Sequence, residues 1–174
     1  MKKLILVALV LIGLSSCKNK TVEYYFVDNA EKDGFLAFDL PASIIQPKEG
    51  ISKDAQATLK TLKKMNVIAL KKDAVDAATF ELEHQKFKAL KKDKSYENLM
   101  RFKNGNTSFS VKIQGEANAV NQILVFADNK ELGFGVARIL GNKMNPAKIM
   151  QLKEAFNDMD LDGNQLSVLK NLLK

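Results

Sequence analysis

Cysteine and histidine each occur once in this chain of 174 residues, proline three times and arginine twice. Each scarcity removes a class of chemistry. A lone cysteine cannot close a disulfide within the chain or build a thiolate cage for a metal. A lone histidine, His84, rules out a His-rich zinc site within one chain. Any Ser-His-Asp triad would have to use it, and no serine stands in a G-x-S-x-G elbow. With only Arg101 and Arg138, the planar two-pronged recognition of phosphate that arginine favours is in short supply. No low-complexity run or internal repeat interrupts an ordinary composition, 46% hydrophobic. After residue 14 there is no second apolar stretch long enough to span a bilayer.

What the chain does have is an unusual beginning. Lys2 and Lys3 precede an apolar run from Leu4 to Leu14, interrupted only by Gly13, and Leu14-Ser15-Ser16-Cys17 closes it. A basic start, an apolar core too short to span and a small-residue end are the parts of a secretory signal. The last four residues resemble a bacterial lipobox. In that reading the small serines admit a peptidase, the Cys17 thiol takes a diacylglyceryl group, and Cys17 becomes the new N-terminus. Burying acyl chains is worth about 0.8 kcal/mol per methylene, so two or three chains anchor stably where one does not. Acylation also consumes the only thiol. Lys18 stands where an Asp often marks inner-membrane retention, and no acid-rich tag follows. The resemblance therefore implies the outer membrane, facing the periplasm.

The expected organisation is a signal peptide over residues 1–16, a lipidated tether over 17–20 and a single domain over 21–174. Residues 18–20 reach only ~10–15 Å, which would hold the body against the lipid surface.

The formal net charge is +7, and it is unevenly spread. Residues 18–52 carry four lysines against six acids, residues 53–103 thirteen basic against seven acidic, and residues 104–174 eight against seven. The basic middle third, with Lys63-Lys64, Lys71-Lys72 and Lys91-Lys92, could face anionic headgroups or an acidic partner. A lysine-rich solvated surface has the same composition. Nucleic acid is not an expected partner for an exported lipoprotein.

Along the chain, Thr21 to Lys32 has helical spacing and ends at Asp33-Gly34. Phe35 to Leu40 reads as a strand with Leu36, Phe38 and Leu40 on one face. A short helix is expected over residues 42–45. Ser52 is an N-cap before a helix expected to run from Lys53 to Met65. Asn66 to Leu70 reads as a strand. Asp76 to Lys92 reads as a helix whose stripe is Ala77, Phe80, His84 and Phe87, widened by Leu82 and Leu90.

Two hairpins follow. Asn104-Gly105 is the strongest turn signal. A two-residue loop there pairs Met100 with Phe109, Asn98 with Val111 and Tyr96 with Ile113. Arg101, Lys103, Ser108, Ser110 and Lys112 fall on the other face, and Leu99 breaks the alternation. A second turn at Asn129-Lys130 pairs Val125 with Phe134 and Ile123 with Val136. Leu124 and Phe126 then lie over Gly133 and Gly135, glycines that mark a close approach of another group. Asn145-Pro146 starts a helix through Asn157, and Gln165 to Leu173 is a last short one.

This order predicts the α+β class: one domain with a largely antiparallel sheet, including a C-terminal four-strand meander, and helices on one face. The run from Thr21 onward resembles the small exported lipoproteins of the family named domain of unknown function DUF4252. The resemblance rests on the lipobox, on Asp33-Gly34-Phe35 leading into Pro41-Ala42-Ser43-Ile44-Ile45, on Arg101-Phe102-Lys103-Asn104-Gly105, and on Ile139-Leu140-Gly141 before an Asn-Pro helix. It implies no activity.

One local motif is sharp. Asp158, Asp160 and Asp162 with Gly163 match the first half of an EF-hand calcium loop. The second half fails: position twelve is Leu169 instead of the closing Glu. Capping of two adjoining helices accounts for the same residues. His84, on an apolar stripe, fits a boundary histidine with one hydrogen bond better than a catalytic one. No cofactor is signalled. The expectation is a membrane-anchored envelope lipoprotein, a binding or sensing module in place of an enzyme, with the bilayer and an envelope protein as partners. The alternatives are a weak calcium module at 158–164 and a hydrolase of envelope polymer working through carboxylates that no motif flags.

Overall fold

Four consecutive strands form the meander that the second half of the chain predicts. They are β3 (Glu97–Asn104), β4 (Thr107–Glu116), β5 (Ala119–Asn129) and β6 (Gly133–Met144). Two earlier strands, β1 (Phe35–Pro41) and β2 (Leu62–Lys71), extend the sheet on the β6 side, so the order is β1-β2-β6-β5-β4-β3. Every neighbouring pair is antiparallel. The helices are α1 (Val22–Asn29), α2 (Lys53–Leu59) and α3 (Ala77–Lys91), with a single 3-10 turn at Ala42–Ile44. This computed structural model describes residues 21–44, 51–116, 118–149 and 151. Cys17, the segment before it, its tether, the Asp158, Asp160 and Asp162 motif and nearly all of the two helices expected after Asn145 lie outside those residues. The fold is a single α+β domain.

The helices begin where side-chain caps allow. Thr21, Ser52 and Asp76 each adopt extended backbone and accept a hydrogen bond from an amide two or three residues on, which satisfies donors that a helix start leaves unpaired. α1 and α3 lie on one face of the sheet. Val22 and Tyr25 of α1 and Phe80, Phe87 and Leu90 of α3 form one cluster with Ile68, Leu70, Leu124, Phe126, Phe134 and Val136. On the opposite face Val111, Ile113, Val120, Ile123 and Met144 form a second cluster, with Ile149 packed against it. Ile149 belongs to residues 146–149, which are helical, and Asn145 caps that turn by accepting from the Lys148 amide.

Several boundaries and registers differ from the sequence expectation, each for a local reason. The helix after Ser52 stops at Leu59 and does not reach Met65; the Thr61 hydroxyl donates to the Thr58 carbonyl. Leu62 to Met65 join β2 instead: Leu62 pairs with Gly141 of β6, and Lys64 and Met65 have partners on both β6 and β1. Residues 66–70 of β2 are buried, as a strand covered on both faces should be.

In the β3–β4 hairpin Asn104 pairs with Thr107, so the loop is Gly105-Asn106 and the pairs are Phe102↔Phe109 and Met100↔Val111. Gly105 has φ +54, and glycine at the first central position suits a type II′ turn. The Phe102 and Phe109 rings stack at 4.8 Å. The shift is two residues, so from Met100 onward the faces stay as expected. Before the bulge at Leu99 they do not, since Asn98 pairs with Lys112, and Tyr96 joins the helix-side cluster while Ile113 lies in the opposite one. Leu99 is the extra residue of a bulge between Asn98 and Met100, which explains its break in the alternation.

The β5–β6 register is displaced by an odd number, and there the faces do change. Phe126 pairs with Val136 and Val125 with Ala137. The loop is three residues long because the Asn129 side chain accepts from the Glu131 and Leu132 amides and Gly133 follows with φ +130. Gly133 and Gly135 do mark a close approach, but by β2. A Cβ on Gly133 would lie 2.2 Å from the Leu70 carbonyl oxygen.

Candidate functional site

Past its bulge, β3 directs Arg101 and Lys103 to the helical face, opposite Ser110 and Ser108 on β4. The C-terminal turn of α3 lies across from them with Lys88, Lys91 and Lys92. Together these groups line a cleft of about 540 Å³. Five cations and two serines line it, and no carboxylate does. Such a concave, one-signed surface concentrates anions, because like charges focus a field that water only partly screens.

Local folding rules place each cation. Lys88 and Lys91 occupy the last turn of α3, where positive charge complements the helix dipole. Lys91 is also held over the Phe87 ring, its Nζ 5.6 Å from the centroid, and lies 3.8 Å from the Asp128 carboxylate. Arg101 donates to the Asn98 side chain and to no carboxylate among the described residues. Lys112, one strand further in, is buried, and its ammonium donates to the carbonyls of Lys91 and Asp93. It thereby ties the end of α3 to β4 and leaves a positive charge behind the cleft. Burial lowers the Lys112 pKa, and the nearby Arg101 lowers it further against the opposing pull of Asp93.

His84 has a structural setting. Its Nε2 lies 2.9 Å from Asp128 Oδ1, and its ring stacks on Phe134 with centroids 5.1 Å apart. No hydroxyl hydrogen-bonds to the ring among the described residues. The boundary histidine with one hydrogen bond is what the structure holds. Two features on this face were not foreseen. Leu82 is 55% exposed while its neighbour Glu83 is buried, because Glu83 turns between α1 and α3 and pairs with Lys86 at 2.7 Å and Lys32 at 3.9 Å. Tyr25 faces the same carboxylate, and burial followed by that charge pushes its phenol pKa up.

The first turn of α1 lies on this face too. Glu23 accepts from Arg138 at 2.6 Å, Arg138 reaches Gln122, and Gln122 donates to the buried Tyr96 hydroxyl. Tyr96 in turn feels both Glu23 and Asp93. A continuous set of neighbours therefore links the start of the domain to the rear of the cleft.

Half of the cleft is visible in the sequence, since alternation along the hairpin puts Arg101, Lys103, Ser108 and Ser110 on one face. The other half depends on where α3 ends. The Lys91-Lys92 pair was the only signal for it. Cys17 and the Asp158, Asp160 and Asp162 carboxylates lie outside the described residues and cannot be placed against it. No group of three or more potential metal ligands occurs among the described residues.

Comparison with curated proteins and with solved structures found no match. The family model for a domain of unknown function, DUF4252, matches residues 24–152, a span from the first turn of α1 to just past Ile149 that takes in all six strands. The chain belongs to the DUF4252 family.

Proposed function

We propose that the chain is an exported lipoprotein, anchored to a bacterial envelope membrane through acylated Cys17, and that it works as a non-enzymatic binding module. The cleft between α3 and the β3–β4 hairpin carries this reading. It gathers five cations, of which, among the described residues, only Lys91 pairs with a carboxylate, that of Asp128, an arrangement suited to holding an anion. The one histidine is engaged by Asp128 and stacked on Phe134. The Met1–Cys17 sequence supports the anchor, and Lys18 favours the periplasmic face of the outer membrane. The first helix starts at Val22, so a tether of four residues, Cys17 to Lys20, would keep the domain within roughly 10–15 Å of the lipid.

Metabolic labelling with an alkyne fatty acid tests the anchor. The natural chain should take the label and fractionate with outer membranes, and Cys17→Ala should do neither. A Cys17→Ala chain that is still labelled and retained would overturn the reading.

A further inference from the structure

We infer that the β3 edge and the end of α3 form a second, non-covalent membrane contact that takes the phosphate headgroups of an anionic bilayer. β3 is the outermost strand, and all eight of its residues are exposed. Its two faces differ. Toward the helices it presents Arg101 and Lys103 to the cleft. Toward the opposite face it presents Met100 and Phe102, 38% and 42% exposed, and Leu99, at 40%, sits in the bulge between Asn98 and Met100.

Lysines on an edge strand protect it from pairing with other chains, and lysines at a helix end complement the dipole. Neither role calls for a row of exposed Leu, Met and Phe beside them, which by itself would make the edge more prone to association. The combination suits a membrane interface. There the apolar side chains enter the acyl boundary and the ammonium groups stay at phosphate depth on flexible stems. Lysine suits this better than arginine, because a bilayer offers an array of shifting phosphates in place of one fixed group to clasp. Lys112 takes no direct part. Its bonds to the Lys91 and Asp93 carbonyls position the end of α3 over the hairpin.

The orientation of this contact rests on the anchor proposed above. α1 lies on the same face as the cleft, so a chain leaving Val22 toward an acylated Cys17 starts from the side on which the cations gather. The affinity of the cleft itself does not depend on the anchor.

The test uses the mature chain, residues 17–174, with Cys17→Ser to remove acylation. Both apolar clusters draw on residues 22–149, all retained. This protein should sediment with phosphatidylcholine vesicles that contain phosphatidylglycerol and stay in solution with phosphatidylcholine alone. The triple change Lys88→Gln, Lys92→Gln and Lys103→Gln should weaken sedimentation roughly hundredfold, at about fivefold per cation near an anionic surface. Met100→Ser with Phe102→Ser should weaken it about tenfold, and this loss should persist in high salt, where the charge contribution fades. Circular dichroism identifies variants that keep the fold. If a triple variant does not fold, Lys103→Gln alone should still show a loss of about fivefold.

Equal sedimentation with both vesicles, none with either, or a folded triple variant that sediments like its parent would overturn the proposal. So would tighter binding to a single-stranded oligonucleotide or to polyglutamate than to the anionic vesicles, which would assign the cleft to a polynucleotide or an acidic protein. The two readings fail separately. A chain that is labelled in cells but ignores vesicles keeps the anchor and loses the docking edge; a chain that binds vesicles but is never labelled does the reverse.

Discussion

The centre of the sheet and its β3 edge are built on opposite principles. At β2, β6 and β5 the strands are covered, and the aromatic rings of Phe80, Phe87, Phe126 and Phe134 fill the space under α3 at centroid separations of 4.7–5.6 Å. At β3 nothing is covered. Cations gather on one side and apolar side chains stand open on the other. The large buried side chains lie at the centre, while every residue of the edge strand is exposed. An exposed surface of mixed charge and apolar character outside the core is where a binding role is best sought.

Mutations can break or sharpen that contrast. The largest effect is expected for Phe87→Ala, which empties a fully buried position in contact with Phe126 and Phe134. Urea unfolding should show a loss of about 3–5 kcal/mol. Gly133→Ala places a Cβ against the Leu70 carbonyl at a φ that alanine rarely adopts, and a loss of about 3 kcal/mol is expected by the same measurement. His84→Gln removes the stack on Phe134 and the Asp128 bond, for about 1–2 kcal/mol. At the edge, Lys88→Gln and Lys103→Gln should each leave the unfolding free energy within about 0.5 kcal/mol of the parent. A large loss there would mean that the edge supports the fold after all.

The smallest effect is a pH dependence. The Lys112 pKa is lowered in the fold from 10.5, so between the lowered value and 10.5 the unfolded chain binds more protons than the folded one. Stability from this group therefore rises with pH across the window that ends at 10.5. Arg101→Gln removes one of the two lowering causes. The rise should shrink, as read from urea midpoints taken at successive pH values. An unchanged rise would separate Arg101 from Lys112 and weaken the picture of one joined cationic surface.

Much of the fold is legible locally. Caps at Ser52 and Asp76, the glycine turn at Gly34 into β1 and the alternation along β4 each follow from a few neighbouring residues, though the first helix ends at Asn29, short of the Lys32 that its spacing suggests. What misleads is register. In β3–β4 the aromatic pair Phe102–Phe109 and the glycine-first turn moved the pairing by two, which spares the faces from Met100 onward, while the Leu99 bulge turns Asn98 to the other face. In β5–β6 the Asn129 side chain drew three residues into the loop, and an odd shift exchanges the faces. Leu62 to Met65 reads as helix because Leu59 and Leu62 keep helical spacing, and only β1 and β6 on either side make the strand the better use of that backbone.

Taken alone, the amino-acid order determined the signal-like start, the α+β class, the meander and the family, because each of these rests on patterns within a few turns or strands. It also placed the hairpin half of the cleft, since alternation requires nothing beyond the strand itself. Only the tertiary structure decided that the end of α3 comes down over Arg101 and Lys103 and that Lys112 lies buried beneath. Those residues meet through helix-on-sheet packing, and the position of a helix across a sheet is set by the shape of both apolar surfaces together, which no stretch of either one contains.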